Sequence, residues 1–181
     1  MSNNKFITSA LRDHKIGAVM PSSKYVVRKI VREILPIHRF IIEYGPGDGV
    51  ITKGVLSVLS QDGKMVGLET NQDFVDKLGA ITDNRLKVYK HNVIDIATRL
   101  EILGLPEINA VISGIPFSMI KYSARESVIA NTYSSLTPGG IFIIYQFSPL
   151  TLPILKKYFK SVNVIYEVRN FLPYFIMIAH K

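Results

Sequence analysis

The run Ile41-Ile42-Glu43-Tyr44-Gly45-Pro46-Gly47-Asp48-Gly49 constrains this chain more than any other stretch. It reads as an apolar strand that passes into a glycine-rich turn and then, from Val50, into a segment with helical spacing of apolar residues. Glycine adopts positive φ without strain, and its missing side chain lets a ligand approach the backbone closely. The helix that follows offers N–H groups at the same place. The spacing is Gly-x-Gly-x-Gly, with Val50 where the dinucleotide fingerprint has its third glycine, so NAD is disfavoured.

From Arg39 onward, short β-type runs alternate with helix-type segments, as in a mainly parallel sheet covered on both faces. Residues 40–44, 64–69, 86–90, 110–113 and 141–146 read as strands. Residues 50–60, 71–79, 94–103 and 123–136 carry helical spacing between them. An earlier helix, residues 23–35, gathers Val26, Val27, Ile30, Val31 and Ile34 on one face and Lys24, Arg28, Lys29 and Arg32 on the other, with Ser22 or Ser23 as N-cap. Residues 152–159 make a last helix candidate. Residues 162–168 and 175–179 then read as two strands whose connection is too short for a crossover helix, so they are expected to pair antiparallel.

The expected fold is α/β: a Rossmann-like, doubly wound, seven-stranded sheet, mostly parallel, with a C-terminal antiparallel hairpin. A chain of 181 residues, 48% hydrophobic, can bury one sizeable core but is short for two. One domain is expected over 1–181, with a basic helical segment at 1–35 and the ligand-binding core at 36–181.

The chain has no cysteine, which excludes disulfides and thiolate metal sites and suits a reducing cytoplasm. Its four histidines, His14, His38, His91 and His180, lack ligand spacing, and no metal is expected. No signal peptide and no apolar run of membrane-spanning length is recognisable. The formal charge of +8 favours an anionic partner, and residues 1–35 supply +5 of it, with seven basic against two acidic side chains.

Glu69, at the end of the second strand, is placed to accept hydrogen bonds from both hydroxyls of a ribose. With it, Glu43-x-Gly45-x-Gly47-x-Gly49 resembles the first motif of class I S-adenosylmethionine methyltransferases, and the terminal hairpin resembles the end of their seven-stranded sheet. The resemblance implies S-adenosylmethionine as cofactor, its methionine part on the glycine turn, its ribose on Glu69 and its adenine facing Asn92, where many relatives carry Asp. An amide can meet the adenine edge through oxygen or nitrogen. The cofactor set so implied is Glu43, Gly45, Pro46, Gly47, Gly49, Glu69, Thr70, Asn92, Val93 and Ser113.

For the methyl acceptor, Ser113-Gly114-Ile115-Pro116-Phe117-Ser118 follows the fourth strand. It is similar to the Asn-Leu-Pro-Tyr motif of rRNA adenine dimethyltransferases, but Gly114 stands where their asparagine contacts the target amine. The same segment, with Ile16-Gly17-Ala18-Val19-Met20-Pro21-Ser22-Ser23 and loosely residues 170–173, more closely resembles bacterial phospholipid N-methyltransferases. That resemblance implies an amine headgroup of phosphatidylethanolamine type, with nucleic-acid adenine as the alternative. Tyr25, Ser113, Gly114, Pro116 and Phe117 are then the candidate catalytic residues. Gly114 would offer space, Phe117, Tyr25 and Tyr174 a cation–π surface, and water, substrate phosphate or Tyr25 the proton acceptor. Lys5, Phe6, Ile7, Ala10, Leu11, Arg12 and Lys15 can form a short amphipathic helix suited to an anionic bilayer, so peripheral attachment to the inner membrane face is expected.

Overall fold

The computed structural model describes residues 22–169 and 173–181. The basic segment Met1–Lys15, most of the motif at 16–23 and most of residues 170–173 lie outside the described residues. In chain order the elements are α1 (Lys24–Arg32), β1 (Phe40–Tyr44), α2 (Val50–Leu56), β2 (Lys64–Glu69), α3 (Gln72–Gly79), β3 (Leu86–Lys90), α4 (Val93–Ile96), β4 (Ala110–Ser113), α5 (Tyr122–Ser135), β5 (Ile141–Gln146), α6 (Leu152–Tyr158), β6 (Ser161–Glu167) and β7 (Tyr174–His180).

They form one seven-stranded sheet of order β3-β2-β1-β4-β5-β7-β6. The first five strands of that order run parallel, while β7 pairs antiparallel with both β5 and β6. The chain reverses direction of winding at β1, so β1 and β4 part company at their carboxyl ends, where ligands enter such sheets. Strands β1, β4 and β5 are buried along their whole length, as apolar strands covered on both faces must be.

Side-chain alternation divides the core into two layers. One holds Tyr44, Leu68, Phe117, Phe142, Ile144 and Met177, and the other Ile41, Met65, Ile112, Ile143, Tyr145 and Ile176. Helix α1 docks on the second layer through Val26 and Ile30, both fully buried, and the Ser23 hydroxyl accepts its Val26 N–H at 3.5 Å.

Two helices are shorter than their apolar spacing suggests. Helix α2 stops at Leu56, and the Ser57 hydroxyl bonds the Gly54 carbonyl at 2.7 Å, a local bond that competes with helix continuation. The segment 94–103 is broken: α4 gives way to a 3₁₀ stretch, Ala97–Leu103, in which Arg99 sits at φ −142°, ψ 39°, outside the helical region.

Phe142 lies at the centre of the first layer, fully buried and in ring contact with Tyr44 and Phe159. Phe142→Ala is expected to cost about 3–5 kcal/mol of stability, read as a lower urea midpoint at unchanged slope.

Candidate functional site

The turn after β1 takes the shape its glycines allow. Gly45, Gly47 and Gly49 have φ of 67°, 55° and 78°, a region where other residues are strained. Backbone bonds hold the turn, Gly45 N–H fastening it to the Leu68 carbonyl of β2 and Gly49 N–H closing it on the Pro46 carbonyl. Three of its positions differ in what surrounds them. A Cβ on Gly45 would meet Ile115 at 2.8 Å and one on Gly49 would meet Leu78 at 2.8 Å, whereas one on Gly47 would meet nothing within 4 Å. Gly47 therefore borders open space, while Pro46 turns inward and packs over Gly67 of β2.

Glu69 closes this turn from the side. Its Oε2 accepts the Gly47 N–H at 3.1 Å and its Oε1 accepts the N–H groups of Thr70 and Asn71 at 2.7 and 2.9 Å. The carboxylate is thus oriented by three backbone donors at the carboxyl end of β2. Asn92 caps α4, its Oδ1 accepting the Ile94 N–H at 3.0 Å, which leaves its exposed amide nitrogen to meet a ligand. The next residue, Val93, is buried in the core. At the start of α2 the N–H of Val50 is not free, because Asp48 Oδ1 accepts it at 3.2 Å.

Glu43 lies beneath the turn, fully buried. The Thr52 hydroxyl donates to its Oε2 at 2.6 Å, and its Oε1 has no partner among the described residues. Burial pushes its carboxyl up to about 7, the Thr52 bond opposes this, and the nearby Asp48 and Glu69 carboxylates add to it. The orphaned Glu43 oxygen, the open space beside Gly47 and the oriented Glu69 fit a cofactor with a cationic head and a ribose, so these residues could hold S-adenosylmethionine.

On the acceptor side the structure corrects three expectations. Gly114 does not leave an opening: a Cβ there would lie 2.3 Å from the Tyr145 hydroxyl, so that hydroxyl fills the space. Phe117 presents no surface for stacking, being fully buried in the first core layer below the site. Ser113 is paired with Tyr44 and Ile144 and shares their face of the sheet, opposite Gly114 and Tyr145, with its Oγ buried and unpartnered. Pro116 leads into the short 3₁₀ turn Phe117–Met119. That turn is pinned from below by Arg125, which donates to the carbonyls of Phe117 and Ile120 at 3.0 and 2.9 Å.

Tyr25 stands at the same sheet edge with the Arg169 guanidinium 4.4 Å above its ring. Arg169 in turn bonds both oxygens of Glu167 at 2.8 and 2.9 Å, and these bonds hold the Glu167 carboxyl down at about 2. The ring is therefore already covered by a cation. Sequence reasoning missed Tyr145. It lies in an unbroken apolar strand, and its importance follows only from its contact over Gly114. Burial holds its hydroxyl well above the usual phenol range, and Glu43 and Tyr174 add to the effect. Tyr174 and Phe147 pack against one another beside it, ring centroids 4.4 Å apart, with Tyr174 edge-on to Tyr145 at 6.1 Å.

The raised Glu43 carboxyl makes stability pH-dependent. The folded state keeps the proton up to about pH 7 while the unfolded chain releases it near 4.5, so the folded state binds more protons between these values and stability falls as pH rises through that window. Glu43→Gln is expected to remove this fall, on the order of 3 kcal/mol, in denaturation of the ligand-free protein at pH 4.5 and 8. Equal pH profiles for both proteins contradict the assignment.

No protein-family model matches the chain. Over 162 residues, 87% of the chain, it is 27% identical to an ornithine lipid N-methyltransferase of Singulisphaera acidiphila, covering 84% of that protein. It spans about half the length of a ubiquinone/menaquinone biosynthesis C-methyltransferase of Hydrogenovibrio crunogenus, which it matches at 25% identity over 69% of its own length. Among solved structures, a precorrin-6y C5,15-methyltransferase from Geobacter metallireducens superposes with a TM-score of 0.70 at 14% identity, over 90% of this chain and 92% of that one. The N-methyltransferase NodS of Bradyrhizobium japonicum, solved with S-adenosyl-L-homocysteine, gives 0.67 at 9% identity, over 85% and 86%. Sheet order, glycine turn and relatives agree that the chain is an S-adenosylmethionine-dependent methyltransferase of the class I fold.

Proposed function

We propose that this enzyme methylates the amine nitrogen of a membrane aminolipid, with a headgroup of the phosphatidylethanolamine or ornithine-lipid type. The observation that carries the reading is the acceptor side of the site, where Gly114 brings no amide or carboxylate and the Tyr145 hydroxyl takes its place. A nucleobase amine needs a planar stacking partner and edge contacts. The buried Phe117 offers no stacking face, which speaks against the nucleic-acid alternative. A small alkylamine needs only a polar contact and a snug wall, here Tyr145, Tyr174 and Phe147. Similarity to an ornithine lipid N-methyltransferase along most of both chains supports a lipid acceptor.

Gly45, Gly47, Gly49 and Glu43 would hold the methionine part of the cofactor, Glu69 with Thr70 the ribose, and Asn92 the adenine, with Pro46, Val93 and Ser113 supporting from the core side. Bound there, S-adenosylmethionine supplies an electrophilic methyl group on a sulfonium. Glu43 would be held in its ionised form by a cationic group bound near it, since an opposite charge favours the charged form. The headgroup amine, protonated at neutral pH like any alkylamine of lysine-like pKa, must lose its proton before its lone pair is available. Tyr145 stays neutral, so it orients the amine through its hydroxyl and is not the base. Water or substrate phosphate takes the proton. Positioning the neutral amine in line with the methyl group is then the main contribution of the protein.

Purified enzyme incubated with S-adenosylmethionine carrying a labelled methyl group is expected to label aminolipid vesicles, and a panel of phosphatidylethanolamine and ornithine lipid identifies the headgroup. Label in RNA with none in either lipid overturns the reading. Gly47→Val is expected to abolish S-adenosylhomocysteine binding in calorimetry, because the side chain enters open ligand space at positive φ. Glu69→Ala is expected to weaken it about tenfold or more through lost charge-assisted bonds. Tyr145→Phe is expected to lower kcat about tenfold with little change in cofactor affinity, and an unaltered kcat removes Tyr145 from the site.

A further inference from the structure

The carboxyl edge of the sheet carries exposed apolar side chains where a soluble acceptor would need none. Beyond β4 stand Met119 and Tyr122, 52% and 61% exposed, beyond β5 stands Leu150, and at the end of β6 stand Tyr166 and Val168, 56% and 60% exposed. Since β6 runs parallel to β5 through the antiparallel β7, all five lie on the edge that holds Gly114, Tyr145 and Tyr174. From β4 to β6 this rim spans three inter-strand spacings, about 14 Å. An apolar rim around a binding edge marks an interaction surface.

Its charged neighbours select the partner. Lys24 and Lys121 are exposed at the same edge, and Arg169 is 57% exposed. The carboxylates there are already engaged, Glu167 by Arg169 and Lys29, and Glu126 by Lys157. Apolar side chains among exposed cations match the interface of an anionic bilayer, where the first enter the acyl boundary and the second meet lipid phosphates.

We propose that this rim, formed by the ends of β4, β5 and β6, is the face on which the enzyme rests against an anionic membrane, with the acceptor side of the site opening into the lipid. The inference rests on the aminolipid reading and adds the orientation of the molecule to it. In this orientation the headgroup reaches Tyr145 without its acyl chains crossing water. Helix α1, which packs on the second core layer through Val26 and Ile30, begins at this edge with the exposed Lys24.

The test uses the full chain and vesicles of phosphatidylethanolamine with and without phosphatidylglycerol. A triple variant, Met119→Gln with Leu150→Gln and Val168→Gln, alters exposed side chains only, and an unchanged melting temperature checks its fold. It is expected to lose sedimentation with anionic vesicles at least tenfold and to lose vesicle turnover in parallel. Turnover of a short-chain, monomeric aminolipid is expected to be unchanged, because the site itself is intact. Lys24→Glu with Lys121→Glu is expected to reduce binding to anionic vesicles and to flatten its salt dependence. If the triple variant sediments and turns over on vesicles like the natural chain, the rim is not the membrane face, although the aminolipid reading stands. If the variant converts a dimer to a monomer without changing vesicle binding, the rim is a contact between copies and the proposal fails. If the natural chain sediments through the rim but labels no aminolipid, the membrane face stands and the aminolipid reading fails.

Discussion

The turn from Gly45 to Gly49 is the constraint on which the rest of the site depends. It must leave β1, pass over Glu43 and start α2 within five residues, and it does so with three glycines at positive φ. Two reasons account for them. Ile115 and Leu78 press against Gly45 and Gly49 closely enough that any Cβ displaces them, so these two glycines allow the β4 loop and α3 to close on the turn. Gly47 has no such neighbour, and the space at its Cα faces outward. The turn is thereby packed at both ends and open in the middle. The Gly47 N–H is held by Glu69 from the next strand, which ties the orientation of that carboxylate to the backbone of the turn.

The polar groups below the turn are costly to bury, and their arrangement shows where that cost is accepted. Glu43 has one oxygen satisfied by Thr52 and one without a partner, a condition that disfavours the charged form. A structural carboxylate in a core normally has both oxygens bonded. A half-satisfied one beneath an open turn is suited to a cationic ligand arriving from above. Across the sheet, Tyr145 shows a related economy of space. Its hydroxyl sits over Gly114 so closely that the two positions are coupled: a side chain at 114 excludes the tyrosine, and the tyrosine needs the glycine. The missing side chain at 114 and the phenol at 145 form one feature of the fold.

Much of this was legible in the sequence. Parallel strands covered on both faces produce continuous apolar runs, and 40–44, 110–113 and 141–146 are such runs, so strand positions, sheet type and the terminal hairpin follow from pattern alone. The glycine turn after β1 and the place of Glu69 at the end of β2 were legible from the spacing of glycines and apolar runs. What escaped depends on packing between elements. Phe117 follows an Ile-Pro pair in a loop, where no periodicity tells whether an aromatic points out or in, and Arg125 holds that loop inward from eight residues away. The helical spacing of 94–103 did not reveal the break at Arg99, since apolar residues at the same intervals serve a 3₁₀ stretch as well. Tyr145 looked like one more strand residue because its partner, Gly114, has no side chain to suggest a contact.

The net charge of +8 also takes on a different meaning once the basic side chains are located. Several are used inside the fold, each on backbone carbonyls near the end of an element or in a loop. Arg85 donates to the carbonyls of Leu56, Leu59 and Ser60 where α2 ends, and its bonds hold the neighbouring Asp83 carboxyl down at about 2. Lys181 donates to the carbonyls of Tyr133, Ser134 and Leu136 where α5 ends, and Arg125 serves the β4 loop. These cations stabilise the fold and are not available to an external anion to the same degree. Lys24 and Arg28 on the outer face of α1, with Lys121 after β4, stay exposed. Exposed cations occur on other elements too, among them Lys64, Lys87 and Lys160, so Lys24 and Lys121 stand apart by their place beside the exposed apolar rim. Attraction to an anionic plane therefore does not by itself choose a face, and orientation comes from the apolar side chains at the rim together with the cations beside them.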